Sequence, residues 1–326
     1  MSIALLRLVP RLALVFFVTL CATAGLAQTY PNRPITFLYG YAAGSSSDVA
    51  WRSIVLEASK RLGQPIIFEN RPGASGRIAV DGVMRARPDG YTIAGMNNSQ
   101  LVVLPLIDPK LMIEPGKNYT PVLIGIETYL LMVARPDAPF KDIKGMVAYA
   151  KANPGKINAG SPGAGTGSHL GLAMVSTQAG LEWTHVPYKG AAPALTAMLG
   201  GEIDVMFTDL LAKPYIDSGK MIGLGVSGDR RWGLFASLPT IQEAGLGGFN
   251  TSSWSGVMGP PGLPADIVAT LNRAFNEALA NPDLRNKLEA TGWIMRSSST
   301  AEANSLIRAD LEAYRPVIKA ANIKLE

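Results

Sequence analysis

The chain has little of what most catalytic sites are built from. Its 326 residues include one cysteine, Cys21, and two histidines, His169 and His185; charged residues make up 17% and aromatic ones 7%. One cysteine excludes an internal disulfide framework, and two histidines without an acidic cluster make a poor metal-ligand set. The 30 basic and 25 acidic residues are spread along the chain, so no clustered basic face suits nucleic acid. Long apolar runs are missing too. The run 12–20 is too short to anchor in a bilayer, and no later segment has the uninterrupted apolar length of a membrane helix.

The flanks of that short run are informative. Arg7 and Arg11 precede it and small residues ending in Gly25, Leu26 and Ala27 follow it, the order of a secretory signal. A lipoprotein anchor at Cys21 is disfavoured because Leu20 stands where a small residue is needed. Residues 1–27 are therefore expected to be removed by cleavage after Ala27, taking the cysteine and two arginines with them. About 300 residues remain, more than one core usually organises, which predicts two domains.

Strand-like and helix-like runs alternate through most of the mature length, the pattern of βαβ units and a mainly parallel sheet. Expected strands are 35–39, 66–68, 91–94, 129–134, 157–159, 183–186, 203–207 and 221–226. Expected helices include 49–62, ended by Gly63, and one capped by Asp142 and running to about Ala152. Two later apolar stripes, Ile267, Leu271, Ala274, Phe275, Ala278 and Leu306, Ile307, Leu311, Tyr314, Ile318, mark C-terminal helices. A second α/β domain is placed at 128–228, with 28–127 and 229–326 forming the first and a cleft between them.

Two loops rich in glycine and serine, 41–48 and 160–169, each link a strand to a helix. Neither contains lysine or arginine. Such turns present unpaired N–H groups and the positive end of a helix dipole, which favours a carboxylate or phosphate. Ser45, Ser46 and Ser47 can donate N–H and hydroxyl to an anion, or cap the helix. Asp48 would repel an anion and fits a capping role. Ser161, Gly165, Thr166 and Ser168 form the matching donor set, and His169, at the start of a helix, fits loop orientation better than contact. Tyr188 and Lys189 lie in a turn after a strand, where ligand-lining residues collect, and Lys189 reads as a counter-ion or as an ordinary surface lysine. Asp209 follows a strand and either accepts from the far end of a ligand or caps the next helix; Asn97, Asn98 and Ser99 end a strand as further polar candidates. Trp254 is read as a cleft wall or a packing residue, and Tyr41 opens the first loop.

Ordered motifs then carry a resemblance over essentially the whole mature chain. They are Tyr30-Pro31-Asn32-Arg33-Pro34-Ile35, Gly63-Gln64-Pro65, Glu69-Asn70-Arg71-Pro72-Gly73-Ala74-Ser75-Gly76 and Pro88-Asp89-Gly90-Tyr91-Thr92, followed by Ala150-Lys151-Ala152-Asn153-Pro154-Gly155-Lys156, His185-Val186-Pro187-Tyr188-Lys189-Gly190 and Pro239-Thr240 with Glu243-Ala244-Gly245. Together they resemble the Bug-type receptors of tripartite tricarboxylate transporters. The resemblance implies a type II periplasmic-binding-protein fold, two α/β domains with mainly parallel sheets around a ligand cleft. It further implies a periplasmic, monomeric receptor that takes a small carboxylate solute and delivers it to permease subunits, without a cofactor or chemistry. The family's ligand-holding loops map onto 41–48 and 161–169. The first loop departs from the family pattern at Ala42 and Ser45, where a proline and a second glycine are usual.

Other readings are weaker. Gly163, Gly165 and Ser168 approximate a dinucleotide fingerprint, but the third glycine and the acid after the next strand are missing. Ser161 sits in Ala159-Gly160-Ser161-Pro162-Gly163, which lacks the first glycine of a hydrolase nucleophile elbow, and only His169 and His185 could serve as bases. Presentation of ligand to a sensor protein would use the same binding fold. Affinity built from neutral donors predicts little dependence on salt.

Overall fold

The computed structural model describes residues 30–73, 76–108, 113–163 and 166–320. The expected signal segment 1–27 and Gly165 lie outside them. The chain order is β1 Ile35–Tyr39, α1 Ser46–Leu62, β2 Ile66–Asn70, α2 Arg77–Met84, β3 Thr92–Asn97, a π-helical turn Ser99–Val103, α3 Leu104–Ile107, β4 Thr120–Tyr129 and β5 Leu131–Ala134. It continues with α4 Ile143–Ala152, β6 Asn158–Ser161, α5 Gly167–Ala179, β7 Thr184–Pro187, α6 Ala191–Leu199, β8 Val205–Thr208, α7 Lys213–Asp217 and β9 Ile222–Val226. The last third holds β10 Ser252–Gly259, α8 Ala265–Leu279, α9 Pro282–Glu289, β11 Ile294–Met295 and α10 Thr300–Ala320.

Two sheets form, in the orders β11-β4-β10-β3-β1-β2 and β7-β6-β8-β5-β9. Without the edge strand β11 they share one plan: three strands joined by helical crossovers, then a reversed strand, then a fourth. β1 pairs in parallel with β2 and β3, and β6 with β7 and β8. Leaving out β11, four of the five strands in each sheet point the same way, as expected; the reversed ones are β10, antiparallel to β3 and β4, and β5, antiparallel to β8 and β9. The cause is connectivity. β4 leaves the first sheet at Tyr129 and β5 enters the second at Leu131, so the chain arrives at the end where its neighbours finish and must run against them. β10 returns in the same way. Between β9 and β10 the chain stays with the second sheet, where Val226 bridges to Thr240 and the Thr251 N–H donates to the Ser227 carbonyl at 2.9 Å.

Local chemistry sets the helix ends. The Asp142 carboxylate accepts from the Gly145 N–H at 2.6 Å to start α4, and Gly63 and Gly180 take left-handed conformations, φ 66° and 63°, to stop α1 and α5. The first half packs Phe37, Trp51, Ile54 and Phe275 into one core, with Phe37 stacked on Phe68 at a centroid distance of 5.2 Å. Burying each of these large side chains contributes roughly 1.5–3 kcal/mol. Another core gathers Leu131, Val133, Met206 and Trp232 around the second sheet. The third joins the halves: Ile307, Tyr314 and Ile318 of α10 share a cluster with Leu101–Val103 and with Leu170, Leu172 and Val175 of α5. The C-terminal helix thus packs on both halves, not only on the first domain to which its stripe was expected to return.

Candidate functional site

Because the parallel strands run toward the same edge, the helices that follow them begin there. The N-termini of α1, α5 and α6 contribute Ser46 and Ser47, Gly167 and Ser168, and Ala191 to two adjoining cavities between the sheets. The inner cavity has a volume of about 160 Å³ and the outer about 540 Å³. Leu130, Asp209 and Ser253 line both and form the waist between them. No lysine or arginine is among the described lining residues of either cavity, and Asp209 is their one carboxylate. The positive potential for an anion therefore comes from helix ends and neutral donors.

In the first loop Ser45 caps α1, its hydroxyl accepting from the Asp48 N–H at 3.2 Å. It does not line either cavity. Ser46, Ser47 and Tyr41 line the outer one, with the Tyr41 hydroxyl accepting from Asn97 Nδ2 at 2.7 Å. Asp48 is buried beneath them, where one carboxylate oxygen accepts from the Gly44 N–H and Arg52 Nε, each at 3.0 Å, and the other from Asn70 Nδ2 at 2.7 Å. Burial alone would push this carboxyl up. The hydrogen bonds from Asn70, Gly44 and Arg52 outweigh that and hold it below the ordinary carboxylate value.

In the second loop Thr166 caps α5, accepting from the His169 N–H at 3.3 Å and donating to the Gly163 carbonyl at 2.8 Å, while lining the inner cavity. Ser168 also lines it and donates to the Phe207 carbonyl. Ser161 lines neither cavity. It is fully buried, with its hydroxyl 2.7 Å from His185 Nε2 and accepting from the Gly163 N–H at 3.2 Å. His185 stacks on His169 with centroids 3.8 Å apart and ring planes within 7°. Burial, reinforced by the neighbouring imidazole, lowers His169 to about 4, and burial lowers His185 as well. A serine bonded to an imidazole is the nucleophile and base of a hydrolase, but here the pair ties the end of β6 to β7 away from the cavities.

Asn98 lines the inner cavity and donates to the Ser252 carbonyl at 2.9 Å. Asp209 faces both cavities and also caps the turn after it, accepting from the Leu211 N–H at 3.0 Å. Tyr188 lies outside both, with its hydroxyl 3.3 Å from Glu202. Trp254 packs: it is buried at the edge of the outer cavity, with its indole N–H donating to Asp310 at 2.6 Å. Sequence reasoning missed several polar lining residues, Thr251, Ser252 and Ser253 among them, and above all Thr208. It is 2% exposed, lines the inner cavity, and its hydroxyl has no hydrogen-bond partner among the described residues. Tyr314, read from its stripe only as a packing residue, also lines that cavity and lies 3.2 Å from the Thr251 hydroxyl.

Two lobes of one strand order enclosing a polar cleft define the class of two-lobed solute-binding receptors. The particular membership follows from sequence: residues 50–323 match the tripartite tricarboxylate transporter family receptor, TctC, and the chain belongs to that family. A Cupriavidus necator relative, described as the UPF0065 protein in the gbd 5' region, is 37% identical over 268 residues, 80% of this chain and 79% of that one. Two solved structures are similar in fold. R. palustris Rpa4515 with adipate has a TM-score of 0.72 at 29% identity, covering 90% of this chain and 99% of that one. MatC from Rhodopseudomonas palustris with bound malate has a TM-score of 0.69 at 31% identity, covering 89% and 100%.

Proposed function

We propose that this chain is a periplasmic receptor, exported by cleavage after Ala27, that captures a small dicarboxylate between its lobes and delivers it to a tripartite tricarboxylate-type permease. The solute leaves chemically unchanged. The observation that carries this reading is the cleft lining: three helix N-termini and the unspent, buried Thr208 hydroxyl converge on a space without a described lysine or arginine. A buried hydroxyl left unpaired costs about 1–3 kcal/mol, a cost that a ligand oxygen or a bridging water would relieve. Adipate and malate, bound by two relatives of similar fold, support the dicarboxylate class. The lobes, joined by crossovers near Gly125 and between Gly228 and Ser253, close on the ligand as a hinge.

The test is a thermal-shift and calorimetric titration of the mature protein with adipate, malate and monocarboxylate controls at low and high salt. A dicarboxylate is expected to raise the melting temperature by mass action, with Kd changing less than about threefold across the salt range. Absence of any carboxylate effect would overturn the receptor reading. Collapse of affinity in salt would overturn the neutral-donor mechanism.

A further inference from the structure

A third cavity, of about 570 Å³, lies beside the outer chamber and has the opposite chemistry. Arg230 and Arg231, from the segment after β9, form one side; Arg285 and Glu289 of α9 form the other. Trp293 lines both this groove and the outer chamber, so it is part of the wall between them. Trp232 is buried in the floor, edge-on to Tyr129 at a centroid distance of 6.2 Å, while Trp293 is only half-buried.

We propose that this groove is a second binding site, for a flat organic anion: a carboxylate carried on an aromatic ring. Its volume is that of a small-molecule site. The guanidinium groups keep donors to spend. Arg231 gives Nε to Glu243 at 2.9 Å and Nη1 to the Ala236 carbonyl at 3.3 Å, and Arg285 gives Nη1 to Glu289 at 3.1 Å. Arg230 shares a hydrogen bond with the Tyr129 hydroxyl, and its Nη2 stands 3.6 Å from Glu127. A guanidinium has five N–H groups in a planar fork that matches a carboxylate, and both it and an indole stack on an aromatic ring. Glu289 is the one acid on the described lining, while Glu243 and Glu127, off the lining, pair with Arg231 and Arg230, so what the groove offers an anion is the remaining guanidinium N–H groups. Both lobes supply the walls, so the groove's width changes with hinge angle. An anion held there biases closure of the cleft, and cleft ligand reciprocally changes affinity for that anion.

Benzoate is the probe, titrated into the mature full-length protein by calorimetry and indole fluorescence. Saturable binding is expected, weakened at least about tenfold by Arg231→Gln with Arg285→Gln, and unchanged by Thr166→Val in the main cleft. Unlike the cleft, this site weakens as salt rises. Arg230→Gln alone gives a second reading if the double variant folds poorly. Absence of saturable benzoate binding would overturn the proposal. So would binding that survives the arginine changes but falls in Thr166→Val, since the probe would then sit in the cleft.

Discussion

In the loop before α1 a buried carboxylate holds the turn, whereas in the loop before α5 the turn is held by hydroxyls and a stacked pair of imidazoles. Asp48 gathers the Gly44 N–H, Arg52 and Asn70 onto one charge. Ser161, Thr166, His185 and His169 form their counterpart without any formal charge at neutral pH. Both arrangements bring a helix N-terminus to the cleft, so an anion site demands the helix end and leaves the fastening behind it free to vary. The fastenings differ in what breaks them: loss of a partner for the first, acid for the second.

The largest expected effect tests the first half of that contrast. Asp48→Ala removes the shared acceptor and leaves Asn70 and the Gly44 N–H to find others. Arg52, 43% exposed, recovers water, so the cost comes from the lost charge-assisted hydrogen bonds and the buried donors left unmet, about 3 kcal/mol. Ser161→Ala removes only neutral hydrogen bonds, to His185 and Gly163, and is expected to cost about 1–1.5 kcal/mol. Urea unfolding of both variants measures the difference. Equal losses would erase the distinction between the loops.

Acid provides the next test. A histidine lowered to about 4 in the folded state, against 6.5 unfolded, contributes stability that is complete above 6.5 and is lost as pH falls toward 4. Discounted for the ring's partial exposure, the loss is about 2 kcal/mol. Asp48, lowered from a carboxylate value, loses its contribution only as pH falls below about 4. The urea midpoint of the native protein is therefore expected to fall between pH 6.5 and 4, and that fall to shrink in His169→Phe, which keeps the stack without the charge. An unchanged slope in the variant would place the acid sensitivity elsewhere.

Much of this architecture was legible in the sequence because its signals are local. Asp142, Gly63 and Gly180 mark helix ends by capping chemistry, and the two loops stand out by composition. The run 129–134 reads as a single strand yet divides at Leu130 between two sheets. β4 went unread for the same reason: Val122, Leu123, Ile124 and Ile126 are all buried, so no alternation marks the strand or the point where the chain changes sheet. Site residues divide likewise. Serines at a helix start are visible as donors, but whether such a residue lines the cavity, as Ser47 does, or is buried away from it, as Ser161 is, depends on packing from distant segments. Nothing around Thr208 in sequence separates it from any threonine ending a strand; only burial without a partner marks it.

The smallest effect separates the cavity from the loops around it. Thr208→Val keeps the shape of the side chain and removes the hydroxyl, so in the ligand-free protein it discards an unpaired buried polar group and costs nothing, with stability unchanged or raised by up to about 1 kcal/mol. In the complex the same change removes a donor from the ligand, expected to weaken dicarboxylate binding about tenfold, or about 1.4 kcal/mol. A loop variant such as Asp48→Ala moves stability and affinity together, because the helix start it positions is also part of the fold. Opposite movement of the two quantities in Thr208→Val, read by urea unfolding and calorimetry on one preparation, assigns this hydroxyl to the ligand. Loss of stability with unchanged affinity would assign it to the core.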